Sequence, residues 1–178
     1  MAVSVKKVYR GRVIDLTLER VRLPDGSETE LEIVRHPGGA AVVALERDDR
    51  VCLLRQFRHA GDGWLWELPA GKIDQREAPD RTARRELAEE AGVSARRWES
   101  LGWMHSSPGV FDEVIHLFLA RELEHSAQQL EQDEVLEVHW IPFAEALDWA
   151  VSGKISDAKT LIGLFRARAV LAASEPVR

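Results

Sequence analysis

Apolar and polar residues alternate along two neighbouring segments within residues 13–34, as they do in strands that bury one face. The turn-forming sequence Pro24-Asp25-Gly26-Ser27 separates these segments, so the pattern predicts a β-hairpin. The alternation stops after Pro37. We therefore predict a β arm over residues 1–36, which serves dimerisation or substrate contact, and a main domain over residues 37–178.

Two uninterrupted apolar runs, residues 40–45 and 51–54, open the main domain and are typical of central strands buried on both faces. Further strands are predicted at 64–68, where Pro69-Ala70-Gly71 ends the strand, and near 98–104, 114–119 and 135–141. Helix signals cover 142–151, 157–172 and 80–91, and Gly92 follows the last of these. Strands and helices mixed in this order predict an α/β fold.

Composition narrows the class of ligand. The 178 residues include 24 Lys and Arg against 30 Asp and Glu, a net charge of −6 that disfavours nucleic acid as a partner. Nineteen of the cations are arginines, whose planar guanidinium suits a small phosphorylated ligand. The longest apolar run has six residues, too few to span a membrane, and the single cysteine, Cys52, excludes an intrachain disulfide. We expect a cytoplasmic protein with no membrane partner.

Three carboxylates, Glu86, Glu89 and Glu90, fall within one third of the circumference of the helix predicted at 80–91, while Ala83 and Leu87 lie on another face. Like charges so placed repel each other by a few tenths of a kcal/mol per pair. A solvated acidic face is the ordinary interpretation of such a run. The alternative is that a cation binds there, and the surrounding residues favour it.

Those surroundings form a spaced motif that resembles the Nudix box, the signature of hydrolases acting on nucleoside diphosphates linked to another moiety: Gly71-x5-Glu77-x7-Arg85-Glu86-Leu87-x-Glu89-Glu90-x-Gly92-Val93. The resemblance implies a Nudix-like α/β/α sandwich with a mixed sheet. It also implies a metal site made by Glu86, Glu89, Glu90 and the backbone carbonyl of Ala70. By the same resemblance Arg85 and Glu77 form a structural ion pair, and Gly71 and Gly92 serve backbone turns.

The chemistry agrees with the motif. A diphosphate linkage is anionic and repels a nucleophile, so its hydrolysis needs divalent cations that neutralise charge and lower the pKa of a water molecule. Mg²⁺ prefers hard oxygen ligands such as paired carboxylates. We therefore expect two or three Mg²⁺ ions per site, with Mn²⁺ as a substitute.

Segments outside the box narrow the resemblance to the ADP-ribose pyrophosphatase branch of the family. They are RQFRH at 55–59, WLWELPAGKI at 64–73, SPGVFDE at 107–113 and GKISDAKTLIGL near the end of the chain. The branch has a proline about fifteen residues past the box, where Pro108 stands. This resemblance implies hydrolysis of ADP-ribose to AMP and ribose 5-phosphate, and a homodimer that exchanges the N-terminal arm. A short hairpin also needs a surface to pack on.

Substrate-binding candidates follow by position: Arg58, Arg55, Arg35, Glu67, Pro108 and Gly109. The sequence departs from the branch at Leu31, where an arginine that clamps phosphate is expected, so that Arg35 or Arg22 would have to replace it. A GDP-sugar or another nucleoside diphosphate derivative therefore stays open as the substrate. A non-catalytic domain that senses ADP-ribose is disfavoured by the intact box glutamates.

The general base has more than one candidate. In related enzymes an acidic residue on the loop before the last strand activates the attacking water, and this loop offers Glu131, Asp133 and Glu134. We favour Glu134. The alternative is ionisation of the water by the metal ions with Glu90 or Glu89 as the proton acceptor.

Overall fold

The structure, a computed structural model, describes residues 2–61, 63–74, 77–129 and 135–174, which form ten strands, three α-helices and a short 3₁₀-helix, His59–Gly61. The strands are β1 (Ala2–Arg10), β2 (Asp15–Arg22), β3 (Glu28–Arg35), β4 (Gly39–Ala44), β5 (Arg50–Arg58), β6 (Gly63–Glu67), β7 (Ala70–Lys72), β8 (Val93–His105), β9 (Val114–His125) and β10 (Leu136–Pro142). The helices are α1 (Pro79–Ala91), α2 (Phe143–Ser152) and α3 (Ala158–Ser174). None of the helices among the described residues has the length and apolar character needed to cross a membrane.

The strands form three sheets. The first, in the order β1-β2-β3, is an antiparallel meander that we call the N-terminal arm. The second has the order β7-β4-β9-β8 and is mixed, because β4 runs parallel to β9 while the other pairs are antiparallel. The third is antiparallel, in the order β10-β5-β6. The arm joins the rest through β3, where Val34 exchanges backbone hydrogen bonds with Val110 and Asp112.

The wholly buried strand β4 separates two apolar cores, because successive side chains of a strand point to opposite faces. Ala41 and Val43 belong to the core that contains Leu164 of α3, and Val42 belongs to the core that contains Leu87 of α1. Helices therefore cover the sheet region from both sides. This arrangement confirms the predicted α/β/α sandwich and the two buried apolar strands.

Helix α1 begins with Pro79 at its first position, where a missing N–H costs nothing. It ends at Gly92, which adopts the left-handed conformation at φ 64° and donates its N–H to the carbonyl of Ala88. Its residues Ala83 and Leu87 are fully buried on the face that packs against the sheet region. The predicted helix at 80–91 is thus confirmed to within a residue.

Two strands were missed by the sequence predictions. The first is β1, which is exposed along its whole length and so has no buried face to produce a hydrophobic period. The second is β7, which comes directly after Pro69: Ala70 and Gly71 were predicted to end a strand, but with Lys72 they pair with β4 instead. The predicted hairpin corresponds to β2 and β3.

Candidate active site

A cleft of about 460 Å³ opens where the ends of β4, β5, β7 and β9 meet α1 and the start of α3. Its size suits a small-molecule ligand. Two of its walls carry opposite charge. Helix α1 with β7 forms one, which we call the acidic wall, and the end of β5 with the start of α3 forms the other, which we call the cationic wall.

Two buried carboxylates belong to the acidic wall: Glu86, which lines the cleft at 8% exposure, and Glu90, which is 1% exposed and does not line the cleft itself. Glu90 Oε2 accepts a hydrogen bond of 2.7 Å from the backbone N–H of Ala70, which fixes β7 against α1. The carboxylate of Glu86 lies against Gly71, so closely that a Cβ atom at position 71 would stand 1.9 Å from Oε1. Gly71 is therefore needed for space, and not for the backbone turn that was predicted for it. Gly92 does make such a turn.

Arg85 connects the acidic side chains. Its Nη1 lies 2.8 Å from Glu86 Oε1 and 3.0 Å from Glu89 Oε2, and its Nη2 lies 3.1 Å from Glu77 Oε2. Burial alone would lower the pKa of Arg85, but the hydrogen bond with Glu77 and the charge of Glu86 raise it overall. The hydrogen bond from Arg85 likewise lowers the pKa of Glu77. The structure thus brings together the predicted ion pair of Arg85 and Glu77.

The donor set of the acidic wall fits a divalent cation in its chemistry, because it offers hard carboxylate oxygens beside the backbone of Ala70. Over the described ranges no three carboxylate, imidazole or thiol groups already converge on one point as a finished metal site would. Glu86 and Glu89 lie against Arg85 instead. A cation that binds here competes with the arginine for the charge of these carboxylates.

The cationic wall is organised around Glu67, whose side chain is only 2% exposed. Arg58 donates to it from Nε and Nη2, both at 2.9 Å, and Lys159 Nζ donates to Oε2 at 2.6 Å. Burial alone would raise the pKa of Glu67, but the hydrogen bonds from Arg58 and the charge of Lys159 bring it below its ordinary value. A single carboxylate therefore holds two cations at the edge of the cleft.

The start of α3 fixes Lys159 in place. Asp157 Oδ2 accepts hydrogen bonds from the backbone N–H of Thr160 at 3.0 Å and from its hydroxyl at 2.6 Å, as a helix cap does. The same hydroxyl accepts the N–H of Leu68 at 2.8 Å, which ties the chain after β6 to the helix. Lys159 and Asp157 line the cleft, and sequence reasoning missed both as site residues. Both lie in the segment GKISDAKTLIGL, which supports the family resemblance but indicates no role for either residue.

Two further residues that line the cleft, His36 and Ser106, were not predicted from the sequence. His36, whose Nδ1 accepts the N–H of Gly38 at 3.1 Å and lies 3.1 Å from Glu113 Oε1, borders the cleft from the arm side. The hydroxyl of Ser106 is enclosed near it without a hydrogen-bond partner among the described residues. Each residue looks ordinary in the sequence, and only the fold brings them together.

Several predicted substrate residues do not line the cleft. Arg55 lies on the opposite face of β5, with its guanidinium 5.4 Å from the centre of the Trp64 ring. Arg35 forms ion pairs with Glu19 and Asp112, and Arg22 pairs with Glu28 in the arm.

Pro108 and Gly109 form an exposed turn two residues beyond Ser106. Arg58 does reach the cleft, as do Ala70, Gly71, Arg85 and Glu86. The candidate bases Glu131, Asp133 and Glu134 lie outside the described residues, so their role stays a prediction.

Comparison with known proteins agrees with this geometry. The family model described as "NUDIX domain" matches residues 35–161. The chain is 38% identical over 160 residues to a protein of Bacillus subtilis named ADP-ribose pyrophosphatase, covering 89% of this chain and 86% of that protein. It is also 38% identical over 149 residues to the GDP-mannose pyrophosphatase of Cronobacter sakazakii, covering 74% and 77% respectively. A crystal structure described as an ADP compounds hydrolase has the same fold, with a TM-score of 0.84 at 23% identity over 99% of this chain and 96% of that one.

Proposed function

This chain belongs to the NUDIX family, and on that premise we propose that it hydrolyses the diphosphate bond of ADP-ribose and releases AMP and ribose 5-phosphate. The observation that carries the proposal is similarity to an ADP-ribose pyrophosphatase along 89% of the chain. A cleft with an acidic wall and a cationic wall supports it, because a metal-assisted reaction on a diphosphate uses both kinds of group.

Glu86, Glu89, Glu90 and the carbonyl of Ala70 are the groups that we propose to hold Mg²⁺, two or three ions per site, with Mn²⁺ as a substitute. Bound divalent cations neutralise the charge of a diphosphate and make water a better nucleophile at neutral pH. The hydrogen bond between Ala70 and Glu90 supports this assignment, since it keeps the backbone next to the carboxylates.

The residues of the chain itself have separate tasks in the proposal. Arg58 binds a phosphoryl oxygen from the cationic wall, where Glu67 fixes the direction of its guanidinium. Arg85 and Glu77 hold the segment between β7 and α1. Glu134 accepts the proton of the attacking water, and Glu90 or Glu89 is the alternative acceptor.

We also propose a homodimer that forms through the N-terminal arm, residues 1–36, next to a hydrolase domain at 37–178. Strand β1 supports it, because Val3, Val5, Val8 and Tyr9 are each more than half exposed on an edge strand. Exposed apolar residues on a free strand edge favour association with another chain. A cytoplasmic location is part of the proposal on the sequence alone.

A substrate panel tests the proposed activity. Purified protein with Mg²⁺ is given ADP-ribose and GDP-mannose in parallel, and the products are separated by chromatography. We expect AMP and ribose 5-phosphate from ADP-ribose at a kcat/KM well above that for GDP-mannose. Faster turnover of GDP-mannose would favour the second candidate, a GDP-sugar pyrophosphatase, which the relative in Cronobacter sakazakii and the leucine at position 31 support. Binding of ADP-ribose without turnover would indicate the non-catalytic alternative.

The dimer is tested by sedimentation of the full chain and of the double variant Val3→Asp and Val5→Asp. These substitutions are expected to convert a dimer into a monomer, because dimerisation would bury the new carboxylates in the interface and removing them from water costs free energy. Lys6→Asp, on the same strand, is the matched control for added negative charge. A wild-type monomer at micromolar concentration would contradict the proposal.

A further inference from the structure

Gln56 of β5 is 5% exposed, and its side chain borders the cleft. Its neighbours in register on the adjoining strands are Leu65 and Leu136, which are both apolar. The amide makes no hydrogen bond to any residue within 2–61, 63–74, 77–129 or 135–174. Across those same ranges only the hydroxyl of Ser106 is sealed from solvent without a partner, so the amide of Gln56 reaches solvent through the cleft.

A carboxamide that lies between two leucines and is 5% exposed packs less favourably than an apolar side chain would, because most of its surface is removed from water. Groups that are costly for stability are characteristic of binding sites, where the missing partner is supplied by the ligand. The surroundings of Gln56 therefore indicate a ligand with polar atoms on this side of the cleft.

Arg58, the next residue on the same face of β5, indicates which part of the ligand lies near Gln56. Arg58 lies two residues further on, about 7 Å along the strand, and its Nε and Nη2 are both committed to Glu67. Its Nη1 has no partner among the described residues, and Lys159 contributes a second cation beside it. If Arg58 binds a phosphoryl group, as proposed, a sugar esterified to that group can reach a side chain about 7 Å away along the strand.

We propose that Gln56 is a specificity-determining residue that hydrogen-bonds a hydroxyl of the sugar attached to the phosphoryl group on the cationic wall. A sugar hydroxyl both donates and accepts, and so does a carboxamide. The assignment rests on the proposed function. The hydroxyl belongs either to the nucleoside ribose or to the distal sugar, which share this chemistry, and the experiment separates the two.

The test compares the wild type with Gln56→Met, which keeps the length of the side chain and removes its polar atoms. Three substrates are used: ADP-ribose, the 2′,3′-dideoxyadenosine analogue of ADP-ribose, and adenosine 5′-(P2-methyl diphosphate), which lacks the distal sugar. Leu65→Met is the matched control, because it alters packing next to Gln56 without removing a polar group. The readouts are kcat/KM with Mg²⁺ and the melting temperature.

For Gln56→Met we expect kcat/KM with ADP-ribose to fall about tenfold, the effect of one hydrogen bond. For the analogue that lacks the contacted hydroxyl, kcat/KM is expected to be the same in the variant and in the wild type. That analogue identifies the sugar that Gln56 contacts. The melting temperature of the variant should equal or exceed that of the wild type. Leu65→Met should change all three substrates alike.

An equal loss on all three substrates with Gln56→Met, or a lower melting temperature, would overturn the inference and assign Gln56 a structural role. So would the absence of any loss. These outcomes differ from a failure of the proposed function, which would be seen as a wild type that does not hydrolyse ADP-ribose. That last result would overturn both.

Discussion

Glu90 and Glu67 support opposite walls of the cleft, since each contacts residues that line it, and they are buried almost equally, at 1% and 2% exposure. Glu67 is matched by two cations, Arg58 and Lys159. Glu90 accepts the backbone N–H of Ala70 and lies on the same helix as Glu86 and Glu89, which pair with Arg85. Glu67 and Asp157 together match the two cations of the cationic wall, because Asp157 also pairs with Lys159. On the acidic wall, by contrast, Glu77, Glu86 and Glu89 all contact the one guanidinium of Arg85. This difference agrees with our proposal that one wall positions the substrate and the other binds cations.

The largest effect is expected from Glu90→Gln, which removes charge from the acidic wall and keeps the size of the side chain. Loss of a group that holds a divalent cation costs several kcal/mol of transition-state stabilisation, so kcat should fall on the order of a thousandfold. The measurement is steady-state hydrolysis of ADP-ribose across a Mg²⁺ titration. Glu124→Gln, an exposed glutamate that pairs with Arg96, is the control and should retain activity.

Activity of Glu90→Gln within tenfold of the wild type would contradict the assignment of the two walls. Melting temperature must be measured in parallel, because Glu90 also accepts the N–H of Ala70. A variant that is inactive yet as stable as the wild type supports a chemical role for this carboxylate.

The acidic wall was the part of the site that sequence could predict. Its residues lie on one helix, and a spacing of four places Glu86 and Glu90 on the same face whatever surrounds them. The buried strand β4 was equally easy to predict, because a strand that is buried on both faces has an unbroken run of apolar residues. Features of this kind depend on neighbours within one turn or one strand.

The cationic wall could not be predicted in the same way. Glu67 meets Arg58 across a strand pair and meets Lys159 from a helix 92 residues later, so no local spacing connects the three. Gln56 carries no local signal for a different reason: what distinguishes it is the absence of a hydrogen-bond partner among the described residues. Such properties depend on tertiary contacts.

A smaller effect is expected from Glu67→Gln, which removes the counter-charge of Arg58 and Lys159. Breaking a wholly buried pair costs 3–5 kcal/mol, but the side chain of Arg58 is 42% exposed and solvent compensates for part of the loss. We expect the free energy of unfolding to fall by about 2 kcal/mol, or the melting temperature by about 4–8 °C. Urea denaturation at pH 7 is the measurement.

Glu137→Gln is the matched control for Glu67→Gln. Its carboxylate is 52% exposed and lies 3.8 Å from Arg55 on the outer face of the same sheet. Exposed pairs contribute about 0–1 kcal/mol, so this variant should keep the stability of the wild type. Equal destabilisation by the two variants would mean that Glu67 is not the centre of the cationic wall.

The smallest effect concerns acid, and it separates charge from packing at Glu67. The pKa of Glu67 is lower in the folded protein than its ordinary value of 4.5, so its ion pairs contribute stability that is present above pH 4.5 and is lost as the pH falls through the folded value. Glu67→Gln has no such proton to take up. The difference in unfolding free energy between the two proteins should therefore be constant from pH 7 to 5 and shrink as the pH falls below that range. A difference that stays constant in acid would show that Glu67 acts through its shape alone, and the contrast between the two walls would then rest on the acidic wall only.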